Sequence, residues 1–392
     1  MKILQVTPYF MPEWEAGGVV RASYNLSSIL AQRGHEVTVY TTSRNPNLIN
    51  GGDNSPKIIE GMRVFYFDNF SRRWSLNWIP PIPYLLPAIA RKEMKDFDIV
   101  HIHDFRTLLS IACHHYSALD KVPYVIQPHG SITPFFEKKK LKKIYDALWG
   151  SMILRDASRV ISVSNKEAEQ CKEMGVKSDR IRIIPNGIDF SRLLNREAVE
   201  GKSFREKNDI PDNAKVVLFL GRIHPAKRIE LLIDAFSLLI NEMNDLILLI
   251  VGPDGGGMQP LQEKIRNLGI TDRVRFSDYV DNVGDVYLSA DVLVNPPNTE
   301  IFGFVPFEAL MCGTPIIVAK GSGTSEILSE ANSGCVVDCK NASELKNTIR
   351  YVLEHPDESK ELAEIGRRYV LRNFAFESVA ERVEKVYEEC LK

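Results

Sequence analysis

The chain has 392 residues, of which 44% are hydrophobic and 26% charged, proportions that exclude disordered, collagen-like and disulfide-scaffold classes and suggest two or three domains. Its longest apolar runs, such as 246–252, fall well short of the ~18 residues of a spanning helix. The net charge of −2 covers an asymmetry: residues 1–196 carry 27 Lys and Arg against 19 Asp and Glu, the remainder 22 against 32. All four tryptophans lie in the basic half, so the two halves are expected to face different partners. The start, MKILQVTPYF, reads as a first strand rather than a signal peptide. Six scattered cysteines in mostly apolar context suit a reducing cytoplasm.

Short apolar runs rich in Val, Ile, Tyr and Phe recur along the chain. In order they are 2–7, 36–41, 63–67, 98–103, 123–127, 159–163 and 181–184, then 215–221, 246–252, 273–277, 291–295, 315–319 and 335–338. Near-continuous apolarity predicts buried parallel strands. Helical spacing lies between them: Ile229, Leu232, Ile233, Phe236, Leu239 and Ile240 share one face of a helix beginning at Lys227. The repetition predicts two doubly wound sheets. Polar residues 190–212 mark the boundary, giving domains 1–190 and 191–374. Gly201-Lys202-Ser203 lacks the first glycine and preceding strand of a phosphate loop. A last helix within 375–392, with Phe376, Val379, Val383, Val386, Tyr387 and Cys390 on one face, is expected to pack back on the first domain.

In such sheets ligands bind beyond the carboxyl ends of strands. The first strand runs into Gly17-Gly18, which opens a helix; adjacent glycines let backbone N–H groups approach an anion, and the helix dipole favours phosphate. The pattern is not the Gly-x-Gly-x-x-Gly of dinucleotide binders, which argues against nicotinamide and flavin enzymes. Arg222 and Lys227 follow the strand 215–221 and would form a cationic clamp for a diphosphate. Glu300 precedes a short helix and Glu308 is expected in its first turn; together they flank Ile301-Phe302-Gly303-Phe304-Val305 and could offer acceptors to sugar hydroxyls. His101, His103 and Asp104 lie at one strand end, His129-Gly130 at another and Asn186-Gly187 at a third. No Cys/His cluster has zinc-like spacing, so no metal site is assigned.

Taken together, Gly17-Gly18, His129, Asn186-Gly187, Arg222 with Lys227, and Glu300 with Glu308 resemble the retaining glycosyltransferases of family 4, the group 1 kind. The segments EIFGFVPFEALMCGTPIIV, GRIHPAK and IPNGID carry the likeness. The resemblance implies an α/β GT-B fold, with two Rossmann-like parallel-sheet domains facing across a cleft. It implies a donor bound mostly by the C-terminal domain and an acceptor by the N-terminal one. Arg222 and Lys227 would then hold the diphosphate of a UDP- or GDP-linked sugar. Glu308 would take the ribose hydroxyls and Glu300 those of the transferred sugar. Gly303, Phe304, Val305 and Gly252 would line the donor site, Gly17 and Gly18 would close on the pyrophosphate, and His129 would orient the sugar. No metal or other cofactor is implied.

Two departures bear on donor recognition: the glycine turn GPDGGGMQ at 252–259, and Ser322-Gly323-Thr324 where a double glycine is common. The expected reaction retains configuration through an oxocarbenium-like state assisted by the leaving phosphate, with Glu300 as the alternative nucleophile. The acceptor is a glycan or lipid-linked hydroxyl, as in polysaccharide or glycolipid synthesis. Residues 69–95 mix Arg, Trp, Pro and aliphatics, while 135–150 carry five lysines in six positions with Phe136, Leu141, Ile144 and Leu148. The first suits an interfacial surface or an acceptor cleft, and the second suits peripheral contact with an anionic inner membrane face. The rival readings are a sugar-nucleotide epimerase and a silent nucleotide-sugar-binding subunit. A nucleic-acid partner is not supported.

Overall fold

Every predicted apolar run becomes a strand, because the interior strands of a parallel sheet covered on both faces bury nearly every side chain. The computed structural model describes residues 1–43, 45, 55–68, 82–83, 85–132, 139–190, 193, 202–278, 280 and 283–392, the side chains of residues 15, 139, 202 and 203 excepted. The chain divides into one unit of Met1–Ile188 with Phe374–Lys392 and a second of Asp189–Asn373. Of the expected boundary segment, residues 191–192 and 194–201 lie outside the described residues.

The first unit holds β1 (Lys2–Tyr9), β2 (Glu36–Thr42), β3 (Lys57–Ile59), β4 (Met62–Phe67), β5 (Ile99–His103), β6 (Tyr124–Gln127), β7 (Arg159–Ser162) and β8 (Ile181–Ile183), in the sheet order β3-β4-β2-β1-β5-β6-β7-β8. All pair in parallel except β3 with β4. That antiparallel edge corrects the expectation of a purely parallel sheet. Three residues are too few to show a period, and exposed Ile58 at the edge carries no burial signal. The described helices here are α1 (Gly18–Gln32), α2 (Leu86–Glu93), α3 (Leu108–Asp120), α4 (Lys139–Tyr145), α5 (Ser151–Asp156) and α6 (Asn165–Glu173).

The second unit holds β9 (Lys215–Leu220), β10 (Leu246–Val251), β11 (Val274–Ser277), β12 (Val292–Asn295), β13 (Ile316–Ala319) and β14 (Cys335–Val337). Its order is β11-β10-β9-β12-β13-β14, all parallel. Its helices are α7 (Lys202–Lys207), α8 (Ile229–Leu239), α9 (Met258–Asn267), α10 (Val283–Leu288), α11 (Phe304–Met311), α12 (Gly323–Glu330), α13 (Ala342–Glu354) and α14 (Pro356–Phe374). Ile229, Leu232, Ile233, Phe236 and Leu239 of α8 are buried against Val217, Leu248 and Ile250.

The last helix, α15 (Phe376–Leu391), lies in the first unit. Val379, Val383, Val386 and Tyr387 join Leu26, Leu30 and Val37 in one core, and Glu384 accepts both Nε and Nη2 of Arg33 at 2.8 and 2.9 Å. Strand order reverses between β1 and β5 in one sheet and between β9 and β12 in the other. These are the switch points beyond whose carboxyl ends ligands bind in open α/β sheets.

Candidate functional site

At the second unit's switch point, β9 leads into Arg222 and Lys227, and β12 leads through Asn295 to Glu300. The turn after β9 depends on glycine. Gly252 has φ +139°, and a Cβ on it would stand 2.2 Å from the Gly221 carbonyl oxygen, so only glycine lets the two loops close. Beside them, Ile223 accepts from the N–H groups of Gly255 and Gly257, and Asp254 Oδ1 accepts from those of Gly256, Gly257 and Met258 at the start of α9. The unusual run GPDGGGMQ is thus a closed hydrogen-bonded turn. The aliphatic stem of Arg222 lies over Gly255, and its guanidinium belongs to an exposed side chain.

Lys227 does not begin a helix as the pattern predicts. It ends a one-turn 3-10 segment, Pro225–Lys227, and Arg228 at φ +55° separates it from α8. The break frees the Lys227 ammonium to meet Glu300, Nζ to Oε1, at 2.7 Å, with exposures of 31% and 17%. Asn295 Nδ2 donates to the other carboxylate oxygen at 2.8 Å. Burial alone would push the Glu300 carboxyl up, but the Lys227 charge and these two hydrogen bonds outweigh it and hold it below the usual range. Glu300 is therefore an ionised acceptor with both oxygens engaged.

The Glu300 loop is tied from behind. Gly323 N–H donates to the Glu300 carbonyl at 2.8 Å, Thr324 Oγ1 accepts from Gly303 N–H at 3.1 Å, and Ser322 Oγ caps α12 by accepting from Ser325 N–H. The Ser322-Gly323-Thr324 departure thus ties this loop through the Gly323 N–H and the Thr324 hydroxyl, while the Ser322 hydroxyl serves α12. Helix α11 begins at Phe304 behind Gly303, with no capping side chain and no acid in its first turn. Glu308 accordingly falls in the second turn, not the first. It is buried, and its Oε2 accepts from Tyr287 at 2.8 Å. The structure joins Glu300 to Lys227 and anchors Glu308 separately.

In the first unit, Gly17 at φ +111° precedes α1, which starts at Gly18 with no side-chain cap. His129, at φ +52°, follows β6. Its Nε2 meets His103 Nδ1 at 2.9 Å, and burial drives its imidazole down to about 3, with Asn186 opposing. The next N–H, that of Gly130, donates to buried Glu167, which also accepts from Val163 at 2.8 Å. Burial pushes Glu167 up to about 7, against those two bonds and helped by Asp104. His101 and His103 stack, with ring centres 4.2 Å apart, and bond Tyr387 and Gln5. Asn186 is buried and accepts from Gln127 at 3.1 Å.

Sequence reasoning does not single out Gln5, Glu167 or Asn295, and it names Tyr387 only as a core-facing residue of the last helix and Thr324 only as part of a departure from a double glycine. Asn295 ends a strand as the other polar site residues do, and that signal could have found it. Gln5 and Tyr387 are embedded in apolar patterns that hide them.

Helix α4 continues through a π turn, Asp146–Gly150, into α5. One side is anchored: Arg106 holds Asp146 at 2.7 Å and Tyr145 donates to the Phe105 carbonyl. The other side leaves Leu141, Ile144 and Leu148 63%, 56% and 57% exposed, with Lys140 and Lys143 beside them. Phe136 and residues 69–81 and 84, also expected at an interface, lie outside the described residues. No helix among the described residues is long and apolar enough to cross a membrane.

Two family models match: "Glycosyltransferase Family 4" over residues 16–192 and "Glycosyl transferases group 1" over 201–369. An uncharacterized glycosyltransferase of Methanocaldococcus jannaschii is 26% identical over 99% of this chain and 98% of its own length. The N-acetyl-alpha-D-glucosaminyl L-malate synthase of Bacillus anthracis is 23% identical over 96% and 95%. Among solved structures, Anabaena HepE in complex with UDP superposes with a TM-score of 0.79 at 19% identity, covering 99% of this chain and 100% of that one. The sucrose-phosphate synthase of Thermosynechococcus elongatus superposes at 0.78 and 21%, covering 99% and 98%. The two parallel-sheet units are those of the GT-B fold. With both family models in chain order along nearly its whole length, the chain belongs to the group 1, family 4 glycosyltransferases.

Proposed function

We propose that the chain moves a sugar from a UDP- or GDP-linked donor to an acceptor hydroxyl with retention of anomeric configuration, in the synthesis of a glycan, glycolipid or cell-envelope polysaccharide. The observation that carries this reading is the Lys227–Glu300 pair at the second sheet's switch point, an ammonium and a carboxylate held side by side. Arg222 and the remaining N–H groups of Lys227 take the diphosphate, with the uncapped start of α11 as a further anion site. These fixed positive groups stabilise the charge that develops on the leaving phosphate, without a metal ion. Glu300 accepts from hydroxyls of the transferred sugar. Both its oxygens are already bonded, which favours an electrostatic role over a covalent one and leaves same-face assistance to the leaving phosphate. Glu308 takes the ribose hydroxyls, and Gly17, Gly18 and His129 are proposed as donor contacts. Similar structures holding UDP and UDP-glucose support a nucleotide-sugar donor.

A thermal-shift panel of sugar nucleotides tests the reading. At 100 times its dissociation constant the cognate donor stabilises by about 2.7 kcal/mol, or roughly 5–10 °C for a domain of this size. A chain unmoved by the whole panel, or one that converts a sugar nucleotide with no acceptor present, overturns it.

The same chain works at a membrane surface in this reading, on the cytoplasmic side. The exposed Leu141-Ile144-Leu148 stripe flanked by lysines is the observation that favours it.

A further inference from the structure

We propose that Gln5 and Tyr387 are positioning residues that set the tautomer of His129, leaving its Nδ1 as a bare acceptor for a hydroxyl of the donor sugar. The inference rests on the reading of His129 as a donor contact, and extends it to residues of the first strand and the last helix.

Gln5 on β1 lies in register opposite His101 on β5, and His101 and His103 share that face two residues apart. The Gln5 amide turns Oε1 to His103 Nε2 at 2.7 Å and Nε2 to Tyr387 Oη at 3.2 Å. An amide oxygen only accepts, so His103 donates from Nε2. A neutral imidazole carries one N–H, so His103 Nδ1 accepts, and His129 must donate to it from Nε2 across 2.9 Å. His129 Nδ1 is then a lone pair; the Asn186 side chain interacts with this imidazole, but Nδ1 is buried with no partner within hydrogen-bond distance among the described residues. In the other direction, Tyr387 accepts from Gln5 and passes its own O–H to His101 Nδ1 at 2.7 Å. Burial holds all three imidazoles neutral: His101 and His129 fall to about 3, and His103 lies well below its usual value.

The order depends on Tyr387. Without its oxygen the Gln5 N–H groups lose their buried acceptor and would add a second orphaned donor to His101 Nε2, which is already buried with no partner among the described residues. Turning the amide so that Nε2 faces His103 relieves it. His103 must then donate from Nδ1, His129 must accept at Nε2, and the His129 proton moves to Nδ1. Tyr387→Phe therefore inverts a histidine that it does not touch.

Long-range 1H–15N spectra of the full chain, labelled in its imidazole nitrogens, read this directly at pH 7. The His129 signals are identified by their loss in His129→Asn. The expected result is a pyridine-type Nδ1 and a pyrrole-type Nε2 in the wild type, exchanged in Tyr387→Phe and unchanged in Gln5→Glu, whose carboxylate still accepts from His103. A pyrrole-type Nδ1 in the wild-type spectrum overturns the proposal without any variant. So does a Tyr387→Phe spectrum that keeps the wild-type pattern, whatever that variant does to stability. The hydroxyl contact is read separately, as the extra thermal shift given by UDP-glucose over UDP. That difference is expected to shrink in His129→Asn; if it does not, the donor contact falls while the spectra still decide the relay.

Discussion

Replacing Lys227 with Met removes the ammonium 2.7 Å from Glu300 and leaves the carboxylate with Asn295 as its remaining side-chain donor among the bonds described. A hydrogen bond to a charged group contributes about 1.5–3 kcal/mol, and the partial exposure of Lys227 places this one in the lower half of that range. The expected loss of about 1.5–2 kcal/mol corresponds to roughly 3–8 °C in the melting of a domain of this size. A double-mutant cycle with Glu300→Gln isolates the pair and should give about 1–2 kcal/mol of coupling at pH 7. Its pH dependence has a definite sign. Burial opposes ionisation of Glu300, but Lys227 and Asn295 prevail, so the folded carboxyl titrates below its ordinary value of 4.5. The stabilisation is present above that value and disappears as pH falls through the depressed folded one. Calorimetry of the four proteins at pH 7 and at successively lower pH checks both points. Single mutants that add within about 0.5 kcal/mol at pH 7, or a coupling that persists unchanged after Glu300 is protonated, exclude a stabilising Lys227–Glu300 ion pair.

Glu167 predicts the opposite pH behaviour, because its folded value of about 7 lies above the ordinary 4.5. The native state then binds the proton more tightly, so stability should decline by about 2–4 kcal/mol as pH rises from about 4.5 through 7, and this component should vanish in Glu167→Gln, as followed by urea unfolding. Full-length protein should sediment with anionic but not neutral vesicles at low salt. Each of Lys140→Glu and Lys143→Glu reverses one charge and should weaken that partition by roughly five- to thirtyfold, on the basis of about 1 kcal/mol per charge; equal binding to both vesicle types removes the membrane reading.

The strands were legible because interior parallel strands are apolar almost without interruption; the short edge strand Lys57–Ile59, with Ile58 in solvent, offers no such run. Arg222, Lys227, Glu300 and His129 were legible for a second reason: each is a polar residue placed soon after a strand. Their partners were not. Periodicity tells which face a residue occupies, not what it meets, and Glu300 lies 73 positions from Lys227 while Gln5 lies 382 from Tyr387. Tyr387 reads correctly as a core-facing residue of the last helix, yet its hydroxyl serves a polar cluster that the same pattern makes invisible. Helix starts were the other blind point. The sequence pattern places Lys227 and Glu308 each in a helix's first turn. The positive φ of Arg228 delays one helix, and the Gly303–Thr324 hydrogen bond accompanies a start at Phe304 for the other.

Those two displaced helix starts bear on the chemistry. Had α8 begun at Lys227, its backbone would have continued straight from that residue; the left-handed Arg228 instead separates the 3-10 turn carrying the ammonium from the helix behind it. Had α11 begun two residues later, Gly303, Phe304 and Val305 would belong to a loop and not to a helix start. As built, an open helix N-terminus, with its positive dipole end, follows directly on a carboxylate already neutralised by Lys227. Without that pairing, the Glu300 charge would oppose an incoming diphosphate. With it, in the proposed function, the carboxylate would accept from sugar hydroxyls while the guanidinium of Arg222 and the first N–H groups of α11 would remain for phosphate. The Lys227–Glu300 contact would therefore reconcile the anionic ligand of the proposed function with an acidic residue in one site.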